Sequence, residues 1–152
     1  MAVLIVADSG PIISLARIHQ LQLIPGIFQN IVLPSTVYEE IVIKGKGKPG
    51  ELEIKDASWI NVQKPENQVE VRELRKQFDA GESEAIILAE ELKATLLADE
   101  WIVLKEARNR GLNVFSTQLI LVEAKKMGLI KSVKEEIDKL LQESLQVNGV
   151  VI

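Results

Sequence analysis

Cysteine is absent from this chain of 152 residues, so disulfides, zinc–thiolate centres and thiol nucleophiles are excluded. There is one histidine, His19. A multi-histidine metal site is therefore impossible, and a Ser–His–Asp relay would have one candidate base at most. His19 itself reads as a surface or helix-end residue. Aromatic residues make up only 4% of the chain, which leaves the core to aliphatic side chains. No apolar run is long enough to span a membrane or to form the centre of a signal peptide. The first such run, residues 2–7, stops at Asp8. The expected location is the cytoplasm, with no membrane partner. Phosphate-cradling loops, dinucleotide-binding glycine patterns and nucleophile elbows are all missing.

What is present suits one globular domain. Hydrophobic residues make up 47% and charged residues 26% of the chain. A chain of this length can bury a core without covalent staples. Val3-Leu4-Ile5-Val6-Ala7 is a continuous apolar run, as in a strand buried on both faces. Asp8-Ser9-Gly10-Pro11 is turn chemistry that opens a helix, with Ser9 as a cap and Pro11 in the first turn. A short helical piece is expected over 21–24, stopped by Pro25-Gly26. A second strand follows at 30–33, then a helix opened by Pro34-Ser35-Thr36, where Thr36 and Glu39 stand at capping-box spacing. Residues 45–50 read as a flexible basic loop, and 59–62 as a short strand. Helices are expected over 69–78 and 82–92, a buried strand over 95–98, a helix over 101–110 closed by Gly111, and a strand over 113–116. Two more helices follow, one over 118–127 closed by Gly128 and one opened by Ser132 and Glu135 and running to about 144. The tail 145–152 alternates loosely and is a candidate edge strand. Strand and helix alternate throughout. That pattern predicts an α/β three-layer sandwich, with a mostly parallel central sheet and helices on both faces.

In open sheets of this kind, sites lie beyond the carboxyl ends of the strands. Acidic residues collect there. Asp8 ends the first strand, and Asp99 and Glu100 end the strand over 95–98. Glu82 and Glu84 sit in the first turn of the preceding helix, and Glu39 and Glu40 lie near the start of the helix after the second strand. Several carboxylates in one crevice repel each other without a cation. They are either spread apart or arranged around a divalent metal, and an oxygen-only ligand set suits Mg²⁺ or Mn²⁺. Such a metal can clamp a phosphate oxygen and activate water. Net charge is −4. The basic footprint of tight, non-specific nucleic-acid binders is lacking, which weighs less against a nuclease whose acidic centre a metal neutralises. Each acid also has a plainer reading. Asp8 can cap the helix it precedes, Glu39 can pair with Thr36, and Glu82 suits a helix N-terminus electrostatically. Lys105 and Arg108, one turn apart, can meet a phosphate or simply face solvent. The loop over 44–50 can touch RNA or be merely mobile, with mobility the plainer reading. Trp59 and Trp101 can stack on bases or pack.

The segments VADSGPIISLARI, VLPSTVYEEI, GESEAIILAEE and LLADE followed by KEARNRGLNVFST together resemble the PIN-domain superfamily, in particular its short members related to VapC-type toxins. The resemblance covers roughly residues 2–130. It implies one PIN-like domain over 1–152, with a core over 2–130 and a C-terminal helix and tail over 131–152. It implies a ribonuclease dependent on Mg²⁺ or Mn²⁺, in which Asp8, Glu40, Glu84 and Asp99 match the four family acids as catalytic and metal-binding residues. Ser9 matches the small hydroxyl residue that often follows the first acid. Glu82, Glu100, Lys105 and Arg108 are further candidates. Two positions depart from the pattern. The third acid is a glutamate, and Leu97 stands where toxins often carry threonine. The implied partners are an RNA substrate, an antitoxin protein if the chain is the toxin of such a pair, and a second copy of the chain, with the helices over 118–127 and 132–144 as the homodimer face. The alternative is a PIN-like module that cleaves weakly or not at all and serves binding or regulation. A phosphoacceptor domain also gathers carboxylates at strand ends. It would need a lysine at the end of the strand over 113–116, where Ser116-Thr117-Gln118 stand instead.

Overall fold

In the computed structural model, which describes residues 3–147 (side chains to Ser144), the expected alternation closes into a five-stranded sheet. The strands are β1 (Ile5–Ala7), β2 (Ile31–Pro34), β3 (Ile60–Gln63), β4 (Thr95–Leu97) and β5 (Val114–Phe115). Their order is β3-β2-β1-β4-β5, and every pairing is parallel. The register sets Val6 against Val32 on one side and Leu96 on the other. Because strand side chains alternate in direction, the central strands β1, β2 and β4 feed two cores. Ile5, Ala7, Ile31, Leu33 and Leu97 face one layer. Val6, Val32, Leu96 and Ala98 face the other.

The first core is covered by α1 (Ser9–Arg17), α2 (Leu23–Phe28), α4 (Glu51–Lys55), α8 (Thr117–Lys126) and α9 (Val133–Val147). The second is covered by α5 (Gln68–Leu74), α6 (Ala80–Leu92) and α7 (Trp101–Asn109). Helix α6 is apolar on every side through its middle. It buries Ala85, Ile86, Ile87, Leu88 and Ala89, as suits a helix wedged between the sheet and its neighbours. Truncating one such side chain, Ile86→Ala, would cost about 2–5 kcal/mol.

Several local expectations give way to tertiary context. Pro25 and Gly26 lie inside α2 rather than ending it, because a proline in a first turn gives up no helical hydrogen bond. The loop over 45–50 is held rather than slack. Lys48 N donates to Gly45 O at 2.9 Å, and Gly47 N to the buried Glu51 carboxylate at 3.2 Å. It leads into α4, which was not anticipated. The helix after β2 begins as α3 (Ser35–Tyr38) and then widens into a π-helical segment, Glu39–Lys44. Glycine follows at 45, where a Cβ would lie 2.5 Å from the Ile41 carbonyl oxygen. The Thr36–Glu39 capping box does not form. Glu84, reaching across from α6, takes the Thr36 N–H instead. In the C-terminal tail, residues 145–147 belong to α9, and 148–152 lie outside the described residues.

Candidate functional site

Strands β1, β2 and β3 succeed one another outward on one side of the sheet, and the chain then returns to lay β4 on the far side of β1. The order therefore reverses between β1 and β4. The carboxyl ends of those two strands frame the crevice where open α/β sheets place their ligands. Asp8 follows β1 directly, and its backbone N–H donates to Leu97 O of β4 at 2.9 Å. Helix α6 leads straight into β4, so its N-terminal turn, with Asp79 and Glu82, returns to this same edge. The segment following β2 brings Glu40.

The structure brings Asp8, Glu40, Glu82 and Asp79 together. Asp8 is buried, caps α1 and accepts from Ser9 N at 2.8 Å. Burial pushes its carboxyl up from 3.8 to about 7; the Ser9 N–H opposes this, while Glu82, Asp79 and Glu40 add to it. The charged groups that act most strongly on Asp8 are all acidic. Glu82 is also raised, first by burial, against the Asp79 N–H, and further by Asp79, Glu100 and Glu40. Asp79 and Glu82 form a capping box at the start of α6. Glu82 N donates to Asp79 Oδ1 at 2.8 Å, and Asp79 N to Glu82 Oε1 at 3.0 Å. Gly81 packs closely against Val37 and lies beside Glu40. A Cβ there would stand 3.2 Å from Val37 Cγ2 and 3.8 Å from Glu40 Oε1.

Glu84 and Asp99 are placed differently. Glu84 is buried and caps α3, accepting from Thr36 N at 3.0 Å and Ser35 Oγ at 3.2 Å. Asp99 gives both oxygens to Thr117, accepting from its N at 2.8 Å and its Oγ1 at 2.6 Å, which ties β4 to the start of α8. Glu100 is exposed and acts on Glu82. Lys105 Nζ sits 5.2 Å from the centre of the Trp101 ring, a cation–π arrangement on the outer face of α7. Arg108 is exposed farther along that helix. His19 is exposed beyond the end of α1, at positive φ. Asp79 was missed as a site residue, although Asp79 and Glu82 already stood at capping-box spacing.

The donor set fits a hard divalent cation in its chemistry: carboxylates only, with mutual repulsion that a cation would relieve. Among the described residues, no three acids converge closely enough to form a ready-made metal cage.

A family model described as DUF3368, a PIN domain, matches residues 4–151. The chain belongs to the PIN-domain family. Among solved structures, it is similar to a PilT N-terminus domain protein from the hyperthermophilic archaeon Sulfolobus solfataricus P2. The two share 16% identity with a TM-score of 0.55, over 80% of this chain and 92% of that one, which supports the same PIN-like fold. No match was found among curated proteins. Among the described residues, no helix is long and apolar enough to cross a membrane.

Proposed function

We propose that this PIN-family chain is a divalent-metal-dependent endoribonuclease. The observation that carries the reading is Asp8. It is a buried carboxyl at the sheet's switch point, pushed up to about 7 by burial and further by Glu82, Asp79 and Glu40. Asp8, Glu40 and Glu82 would hold Mg²⁺ or Mn²⁺, with Asp79 and Glu100 adding negative charge around them. When bound, the ion supplies Lewis-acid stabilisation of phosphate charge and an activated water for in-line attack. Asp8 must release its proton before both oxygens can ligate. Glu84 and Asp99, the other two acids expected from the resemblance, act as positioning residues in this reading. Glu84 holds the start of the segment that carries Glu40, and Asp99 holds α8 against β4. Phosphodiester hydrolysis in RNA, the role of toxin in a toxin–antitoxin pair, and a homodimer through α8 and α9 extend the same proposal. Exposed Leu119, Val122 and Leu141 leave apolar area on those two helices.

A second reading, a PIN-like module without cleavage, draws on one observation: Glu84 and Asp99 are already engaged as caps. The two readings part on a single assay with labelled single-stranded RNA. The nuclease reading expects cleavage with Mn²⁺, none with a chelator, and a loss of at least about a hundredfold in Asp8→Asn and Glu82→Gln. Absence of cleavage of any RNA by the wild type, with Mn²⁺ present, would leave the binding module.

A further inference from the structure

Beside the acidic centre runs a groove that gathers three cations and two glutamates. It occupies about 530 Å³ between α1 and the π-helical segment, and is lined by Ile13, Arg17, Glu40, Lys44, Lys48 and Glu143, among others. Glu40 forms part of its wall, so the groove opens on one of the carboxylates that act on Asp8. Lys44 stands four residues after Glu40 on the same segment, and Lys48 follows on the pinned loop. Among the described ion pairs, none involves Arg17, Lys44 or Lys48. By contrast, Arg110, the cation at the end of α7, is held by Glu70, Glu106 and Glu90. Three cations in one concavity are notable in a chain of net charge −4. The wide π turn and the glycine that must follow it set the course of this wall, and π-helical turns often mark functional sites.

We propose that Arg17, Lys44 and Lys48 bind the sugar–phosphate backbone of a single-stranded nucleic acid and lead it past Glu40 to the carboxylate centre. The inference rests on the nuclease reading and names how its substrate is held. A groove of this volume is the size of a pocket for a drug-sized ligand, room for about two nucleotides of one strand and not for a duplex. Arg17 can grip a phosphate through two N–H groups, while the lysines act as point charges. Glu143, from α9, is the wall's second acid besides Glu40 and works against the phosphates. Phosphates held here are neighbours of the scissile one, so these contacts add binding without touching the reacting bond.

The test measures affinity for a short labelled single-stranded RNA at several salt concentrations without divalent ions, in wild type and in Arg17→Gln/Lys44→Gln/Lys48→Gln. The control is Lys125→Gln/Lys126→Gln/Lys131→Gln, which removes the same charge near the opposite end of α8. Each phosphate neutralised contributes about 0.7 to the slope of log affinity against log salt, so the groove variant should lose about 2 from that slope and the control almost nothing. Between 50 and 200 mM salt, wild type should then lose about 20-fold more affinity than the groove variant. In cleavage assays the groove variant should raise KM and leave kcat near wild type. Glu143→Gln should bind RNA more tightly. An unchanged slope in the groove variant overturns the proposal, as does an equal fall in the control. Polyglutamate that binds wild type but not the groove variant, with RNA binding unaltered, would assign the groove to an acidic protein segment and overturn it as well. Wild type that cleaves RNA while its slope is insensitive to the three cations would sink the groove alone. Wild type that neither binds nor cleaves RNA would sink the nuclease reading with it.

Discussion

Asp8→Asn should make the metal-free protein more stable, and the gain should grow with pH. In the folded chain burial and three acidic neighbours raise the Asp8 carboxyl from 3.8 to about 7. The folded state therefore binds this proton more tightly than the unfolded state. Below pH 3.8 both states are protonated and the group carries no penalty. As pH rises from 3.8 to about 7 the unfolded chain ionises freely while the folded one resists, and stability falls. Above about 7 the loss is complete, at about 4 kcal/mol. Asparagine cannot ionise and keeps an oxygen to accept from Ser9 N. The variant should thus match wild type near pH 4 and exceed it by up to about 4 kcal/mol at pH 8.5, or about 8–16 °C in Tm for a chain of this size. Denaturant unfolding of both proteins at pH 4.5, 6.5 and 8.5, with a chelator present, reads this directly. A difference that does not change with pH would refute the claim that Asp8 is an uncompensated buried charge. A variant less stable at pH 8.5 would show that ionised Asp8 has a favourable partner the argument has missed.

Glu84→Ala leaves Thr36 N and Ser35 Oγ without their acceptor and should cost about 1–3 kcal/mol in chemical unfolding. Glu84→Gln keeps an acceptor oxygen and should retain both stability and Mn²⁺ affinity, whereas a metal ligand at 84 would lose affinity in either variant. Ser83 Oγ is buried with no hydrogen-bond partner, so Ser83→Ala should stabilise by about 1 kcal/mol, seen as a rise in Tm. Arg110 joins α5, α6 and α7 through Glu70 at 2.9 Å, Glu106 at 2.8 Å and Glu90 at 3.3 Å. Removing it strands three partly exposed carboxylates, and Arg110→Ala should cost about 2 kcal/mol after allowance for solvent screening, an effect that weakens in high salt.

The architecture was legible because period and position agree. An apolar run ending in Asp8, helices at regular spacing and a strand over 95–98 leave few alternatives to a parallel sheet, and the structure has one. The PIN resemblance pointed to the same fold. What escaped was decided by distant partners. Nothing local to Thr36 says that Glu84, 48 residues on, will take its N–H in place of Glu39. Nor does local spacing tell Glu82 from Glu84. Both lie in the first turns of α6, but two residues turn a helical side chain through more than half a circle. One therefore meets Asp8 while the other meets α3. The π-helical widening at Glu39–Lys44 has no period of its own in the sequence, and with it the groove beside Glu40 stayed hidden. Arg17 and Lys44, 27 positions apart, become neighbours of one cavity only through the fold.

The central claim is that Asp8 anchors a divalent cation. Titrating Mn²⁺ into the metal-free protein at pH 7.5 and following Tm tests it most directly, with Asp8→Asn alongside. An ion that binds only the folded state stabilises it by about 2.7 kcal/mol at a hundredfold excess over its Kd, or about 5–11 °C here. The account predicts a saturable rise in wild type that weakens below pH 7, as Asp8 holds its proton, and vanishes in Asp8→Asn. No rise, or the same rise in both proteins, would contradict it.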